Sequence, residues 1–324
     1  MCTAISFKTK DHYFGRNLDL EYSYHEQVTV TPRNYPFRFR RVRDLERHYA
    51  LIGMAYVAQD YPLYYEAANE RGLGMAGLNF PGNACYRPEE EGKDNVSPFE
   101  FIPWVLGQCA SVGDALSLLD HINLTDISFS DQLPLSPLHW IISDRERSIV
   151  VEAVKEGLKI YDNPTGVLTN NPTFDFHMTN LSCYMGLSRK EGENRFAEAL
   201  PLRPFSRGMG AMGLPGDLSS SSRFVRAVFH KFNSVCGGDE MESVSHFFHL
   251  LDSVAMPRGS MELRENVYEY TLYSCCCNTD KGVYYYKTYG NSQITAVNLW
   301  REDLESSSLA AYDMVKEQQV NWQN

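Results

Sequence analysis

The chain has 324 residues, with 41 Asp and Glu against 30 Lys and Arg, a formal net charge of −11, 43% hydrophobic residues and eight cysteines. A chain of this length buries roughly three quarters of its unfolded surface, so neither disulfides nor a structural metal are required for stability, and its ordinary charged and apolar fractions exclude wholesale disorder. No apolar run reaches the roughly 18 residues of a membrane span; the acidic balance argues against a nucleic-acid partner; and the opening MCTAISFKTK lacks a basic leader with an apolar stretch, which sets a cytoplasmic expectation.

The first third reads as β. Thr3, Ile5 and Phe7 alternate with Ala4 and Ser6, and Tyr13 to Asp19, Gln27 to Thr31 and Ala50 to Ala55 follow as short strand-like runs between Gly, Pro and charged turns. Glu66 to Phe80 predicts two strands joined at Arg71-Gly72. Ser97-Pro98 reads as an N-cap and first helical position for a helix over Phe99 to Cys109, and Ser111, with Asp114 three residues on, caps a second helix. Trp140 to Ser143, Ile149 to Val154 and Leu158 to Tyr161 return to β, with Asp144-Arg145-Glu146-Arg147 as a turn. The charge, Gly and Pro from Arg189 to Gly216, without periodicity, predict a long loop excursion. Ser219 to Ser222 caps a helix through about Phe232, and Met241 to Met256 carries Phe247, Leu250, Leu251 and Val254 at helical spacing. Tyr268 to Ser274, Val283 to Tyr289 and Ile294 to Trp300 close the chain as strands, the last two joined at the hairpin signal Gly290-Asn291. No repeat or linker interrupts this order, so the expectation is one α+β domain over residues 1–324.

The cysteines show no C-x-x-C pair and no Cys/His spacing suited to zinc, which points to reduced packing residues and no metal. Cys2 differs by position. Once Met1 is removed it carries a nucleophile and a potential base on one residue, because an α-amine of pKa about 7.7–8.0 can accept the proton of a thiol of pKa about 8.5. Arg16 and Asp19, in Phe14-Gly15-Arg16-Asn17-Leu18-Asp19, fall on the strand expected to run antiparallel to that of Cys2: a cation for the thiolate and a carboxylate for the amine, or a plain surface charge pair. Asn79 ends a glycine-rich strand and Asn170 sits in Leu168-Thr169-Asn170-Asn171-Pro172, where amide groups make either a turn or an oxyanion hole worth about 3–4 kcal/mol per donor.

These segments, together with Leu138-His139-Trp140, Leu214-Pro215-Gly216-Asp217 and Ser222-Arg223-Phe224, occur in one register from residue 1 to about Trp300 and closely resemble the choloylglycine hydrolases, bacterial bile salt hydrolases of the N-terminal-nucleophile superfamily. The resemblance implies a four-layer αββα sandwich of two antiparallel sheets between helix layers, no cofactor, and a homotetramer. It implies Cys2 as nucleophile, Arg16 beside the thiolate, Asp19 beside the amine, Asn79 and Asn170 at the oxyanion, and Arg223 completing the polar network. Leu18, Ala58, Phe129 and Leu133 match positions that line the family's steroid pocket; on their own they read as core. The implied reaction is hydrolysis of glycine- or taurine-conjugated bile acids. Penicillin V acylases share the chemistry, but Asn79 within Gly-Met-Ala-Gly-Leu-Asn-Phe favours bile salts; an inactive steroid-binding relative is the alternative of another class.

Three other signals read as structure. His246 and His249 lie at i,i+3 among Phe and Leu, as a helix face at a core edge. Cys275-Cys276-Cys277 sits in a strand, where alternate side chains diverge. The arginines from Arg33 to Arg47, interrupted by Asp44 and Glu46, read as a solvated edge or a subunit contact.

Overall fold

Alternating side chains reach opposite faces of a sheet, and most strands of this chain are apolar on both, so each sheet needs a cover on each side. A computed structural model, describing residues 1–324, shows what supplies the covers. In chain order the first strands are β1 Cys2–Lys8, β2 His12–Leu20, β3 Gln27–Thr31, β4 Leu51–Ala58, β5 Tyr61–Asn69, β6 Gly74–Asn79, β7 Asp94–Val96 and β8 Ile122–Leu124. Helices α1 Phe101–Gln108 and α2 Val112–Leu119 lie between β7 and β8. After them come β9 Leu138–Ser143, β10 Ser148–Val154, β11 Gly157–Asp162, β12 Val167–Leu168, α3 Phe174–Asn180, α4 Ser220–Asn233 and α5 Glu240–Asp252. The chain ends with β13 Glu262–Arg264, β14 Val267–Tyr268, β15 Tyr270–Asn278, β16 Val283–Thr288, β17 Asn291–Asn298 and β18 Ala310–Asp313.

A six-stranded antiparallel sheet runs β12-β1-β2-β15-β16-β17, and an eight-stranded one runs β11-β10-β9-β6-β5-β4-β3-β18. Both draw strands from the two ends of the chain. The alternation then decides the layers. Ile52, Ala76, Ile141 and Val150 point from the larger sheet toward Ala4 and Phe14 of the smaller one, in a core that continues to Phe224, Phe247 and Leu251 of α4 and α5. Their neighbours Leu51, Met75, Ile142 and Val151 face the other way, onto Phe101 and Trp104 of α1 and Val112 and Ala115 of α2. The result is the expected αββα sandwich. Gly15 belongs to its tightest seam: a Cβ there would stand 2.0 Å from the carbonyl oxygen of Cys275, so β2 meets β15 only with glycine at that point.

The helix caps follow the sequence in two cases. Ser111 accepts from the Asp114 N–H at the start of α2, and Ser219 accepts from the Ser222 N–H at the start of α4. The first helix is a correction. Ser97 is not its cap, and Pro98 and Phe99 lie outside it; the Glu100 carboxylate turns back to accept the N–H groups of Ser97 (3.1 Å) and Arg40 (2.6 Å), making Ser97–Glu100 a turn, so the helix begins at Phe101. The last helix is capped by Asp239 and ends at Asp252, short of Met256. From 189 to 216 the chain is irregular except for one short turn of helix at Met209–Ala211. Strands β7, β8, β12, β13 and β18 and helix α3 had no sequence expectation, and the strand expected from Tyr268 is divided at Glu269 into β14 and β15.

Candidate functional site

The register of β1 against β2 sets Cys2 opposite Leu18, Thr3 opposite Asn17 and Ala4 opposite Arg16. Pleating therefore turns Cys2, Arg16 and Leu18 toward the eight-stranded sheet, and Thr3, Asn17 and Asp19 toward the helices. Cys2, Arg16, Leu18 and Asn79 line one cavity of about 450 Å³, within the usual range for small-molecule sites of about 300–1,000 Å³. Its wall is largely apolar and aromatic, with Tyr24, Tyr56, Phe99, Ile102, Phe129 and Leu133 as major contributors. Of the expected pocket residues, Leu18, Phe129 and Leu133 line it. Ala58 does not: it closes β4 opposite Tyr61 at the turn into β5.

The Arg16 guanidinium is 1% exposed. Its Nη1 donates to the carbonyls of Gly77 (2.6 Å) and Tyr65 (3.1 Å), and its Nε donates to that of Asn17 (3.4 Å), while Nη2 has no protein partner. Burial works against its charge, but Cys2, Glu66, Tyr273 and Cys275 outweigh it and hold the guanidinium above its ordinary value. Asn79 reaches the cavity from the end of β6; its carbonyl accepts from Asn170 Nδ2 (2.8 Å), and its own side-chain amide makes no hydrogen bond within the protein.

Asn170, Asp19 and Arg223 lie behind this floor. Asn170 Oδ1 accepts the Cys2 N–H (2.8 Å) and Arg223 Nη2 (2.7 Å), which leaves its Nδ2 with one hydrogen beyond that given to Asn79. Arg223, on α4, also donates to the Cys2 carbonyl and to Thr3 Oγ1 (2.7 Å). Burial lowers its pKa against the pull of Asp19 and Cys2. Asp19 Oδ1 accepts from Thr271 Oγ1 (2.6 Å), and Oδ2 is buried without a partner. The Met1 ammonium donates to the Asp19 carbonyl (2.7 Å) and pairs with Glu269, a carboxylate 5% exposed; burial lowers the amine against the attraction of Cys2 and Asp19. The sequence reading therefore brought six polar residues to one place and missed Glu269, which carries no motif and precedes β15 within a run read only as strand.

Once Met1 is removed, an amine and a thiol on adjoining carbons of Cys2, with a buried cation carrying a free N–H, nearby amide donors and a wide apolar wall, can together cleave an acyl bond whose acyl part is large and apolar. The remaining cysteines are placed differently. Burial raises the thiols of Cys275 and Cys276 well above the ordinary range and that of Cys277 to about 12, and none of the three lines the cavity. His246 packs 5.5 Å from the Phe7 ring and meets Ser234 Oγ at 2.9 Å, as a helix-face residue.

The model of the family described as linear amide C–N hydrolases, choloylglycine hydrolase family, matches residues 2–312. The chain is 54% identical to the bile salt hydrolase/transferase of Lactiplantibacillus plantarum over 98% of each chain. It superposes on the crystal structure of the C2A mutant of the conjugated bile acid hydrolase from Clostridium perfringens with a TM-score of 0.92, 39% identity and full coverage of both chains. The penicillin V acylase of Agrobacterium tumefaciens has the same fold, with a TM-score of 0.75 at 18% identity, over 97% of this chain and 91% of that one.

Proposed function

Since the chain belongs to the choloylglycine hydrolase family, we propose that its cavity takes the steroid of a glycine- or taurine-conjugated bile acid and that Cys2, once Met1 is removed, attacks the amide carbonyl. The observation that carries this reading is the Cys2 side chain, facing an apolar-walled cavity of about 450 Å³ with Arg16 and Asn79 beside it. The Cys2 α-amine takes the thiol proton, and the sulfur–carbon bond forms. Negative charge gathers on the carbonyl oxygen, where the side-chain amide of Asn79 and the spare hydrogen of Asn170 Nδ2 receive it. The α-ammonium then gives its proton to the leaving nitrogen, the C–N bond breaks and glycine or taurine departs. Water attacks the thioester by the same route, releasing the bile acid and restoring the thiol.

Arg16 holds the thiolate through its free Nη2, and Asp19 keeps the amine oriented. Arg223 fixes Asn170 through Oδ1 and β1 through the Cys2 carbonyl. An amine in place of water would take the acyl group from the same thioester, which agrees with the transferase half of the Lactiplantibacillus plantarum relative's name. Residues 1–324 act as one domain, and the chain assembles as a homotetramer; the exposed Phe196 and Phe205 of the excursion support an assembly that covers them.

The test is an intact mass of the purified protein together with a glycocholate assay. The expected result is a chain lacking Met1 that releases glycine, with Cys2→Ala reduced to background. Turnover by Cys2→Ala would overturn the assignment. A higher kcat/KM on penicillin V than on glycocholate would move the substrate to the acylase class, and bile-acid binding by a chain that keeps Met1 and forms no product would make it an inactive steroid-binding relative.

A further inference from the structure

Arg16 is the only cation among the residues lining the cavity, and it cannot stay buried without a counter-charge. The carboxylate paired with it is not Asp19. Glu66, on β5, is 2% exposed and does not line the cavity, yet its Oε2 lies 3.7 Å from Arg16 Nε. Three further groups converge on it from the other sheet. Tyr284 donates to Oε1 at 2.7 Å, Tyr273 to Oε2 at 2.9 Å, and the Cys275 thiol to Oε1 at 3.4 Å. A fully buried carboxylate with two phenols, a thiol and a guanidinium around it is built for its charge.

The geometry points to Glu66 as the positioning residue of Arg16. It stands at the Nε edge of the guanidinium, where with the carbonyls of Tyr65, Gly77 and Asn17 it holds the fork so that Nη2 alone remains for the cavity and the Cys2 sulfur. Tyr273 and Tyr284 in turn fix the carboxylate, so strands β15 and β16 set the orientation of a side chain on β2 through a residue of the opposite sheet. Burial pushes the Glu66 carboxyl above its ordinary value, and Arg16 with the hydrogen bonds from Tyr284, Tyr273 and Cys275 opposes that rise.

This inference rests on the proposed role of Arg16, and the experiment separates the two. Glu66→Gln keeps the shape and an acceptor for Tyr284 but removes the charge. On chains shown by mass to lack Met1, its kcat on glycocholate should fall about tenfold with KM changed less than twofold. Tyr284→Phe should lower kcat in the same direction by a smaller factor. In an Arg16→Leu background, Glu66→Gln should lower kcat no further and should raise the melting temperature, because the carboxylate it removes has lost its cation. A Glu66→Gln kcat within twofold of wild type, or losses that multiply in the double variant, would overturn the inference. If Glu66→Gln does not fold, unchanged kcat in both Tyr284→Phe and Tyr273→Phe would overturn it. If the wild type itself proves inactive the functional reading fails, and the melting temperatures of the four proteins still decide whether Glu66 holds Arg16.

Discussion

His12 and His177 are neutral in the folded protein at neutral pH, because burial lowers each to about 4. His12 is held by Ser6 Oγ (2.9 Å) and Thr279 Oγ1 (2.7 Å), and His177 Nε2 donates to the Asn170 carbonyl (2.8 Å). An unfolded histidine titrates near 6.5, so between pH 6.5 and 4 the unfolded chain binds more protons than the folded one, and stability falls as pH falls. At pH 5 each costs about 2 kcal/mol relative to neutral pH. Urea titrations at pH 7 and pH 5 should show this loss, and His12→Gln should reduce it by about half; an unchanged pH dependence in the variant would place the effect elsewhere. The same scale shows what a sequence discloses. Cys2, Arg16, Asp19, Asn79, Asn170 and Arg223 stand in short contiguous motifs and were legible there. Glu66 was not, since its partner Tyr273 lies 207 residues away and both read as ordinary strand positions.

Among the elements, most strands of five residues or more were legible, because each face of each sheet has its own apolar layer to fill, but the first half of β5, Tyr61 to Tyr65, was not read, and β17 ends at Asn298 rather than Trp300. Short pairings such as β12, two residues long, are decided by their partners. The start of α1 shows tertiary context overriding a local cap signal. Its displacement matters for the site, because Phe99, left in the turn, lines the cavity. The arginines between 33 and 47 form the solvated edge expected, with Arg38, Arg40, Arg41, Arg43 and Arg47 exposed, and several of them pair locally. Arg33 pairs with Glu70 at 2.5 Å, Arg41 with Glu89 at 2.5 Å and Arg47 with Glu305 at 2.9 Å, all within the chain. Arg40 does something else: its Nη2 donates to the Phe129 carbonyl at 2.9 Å, and its guanidinium lies 5.8 Å from both the Phe99 and the Phe129 ring centroids. It pins an irregular stretch of cavity wall. Arg40→Ala should raise KM for glycocholate about fivefold with kcat little changed, from one lost hydrogen bond and one lost cation–π pair. Steady-state kinetics on the two proteins check it, and an unchanged KM would remove Arg40 from that role.

For the molecule as a whole, the net charge of −11 says little about the site, whose cations Arg16 and Arg223 are buried and answer to local partners. The excursion is the region where the single-chain structure leaves most apolar surface uncovered: Phe196 and Phe205 are each 85% exposed and Leu202 is 51% exposed. Large apolar side chains left this exposed support a contact surface there. Replacing residues 194–205 with a short Gly-Ser link should therefore, if the proposed homotetramer forms, reduce the particle mass seen by sedimentation velocity below that of the wild type, and an unchanged mass would refute the excursion's part in assembly. The sequence supports the loop and suggests a part in a subunit contact, but not which side chains it exposes, since a chain without periodicity does not disclose what it rests against.

The two sheets contribute to the cavity unequally. Cys2 and Arg16 come from the neighbouring strands β1 and β2 of the smaller sheet, with Gly15 allowing no side chain in the seam behind them, whereas Tyr56, Phe99, Phe129 and Leu133 come from the larger sheet and the segments that border it. The division is not complete, since Asn79 reaches the cavity from β6 of the larger sheet and Leu18 from β2 of the smaller one, but those four wall positions are distinct from the six polar residues. An evolving lineage, or a library randomised at those four wall positions, can explore new acyl groups while the machinery that breaks the bond is inherited intact.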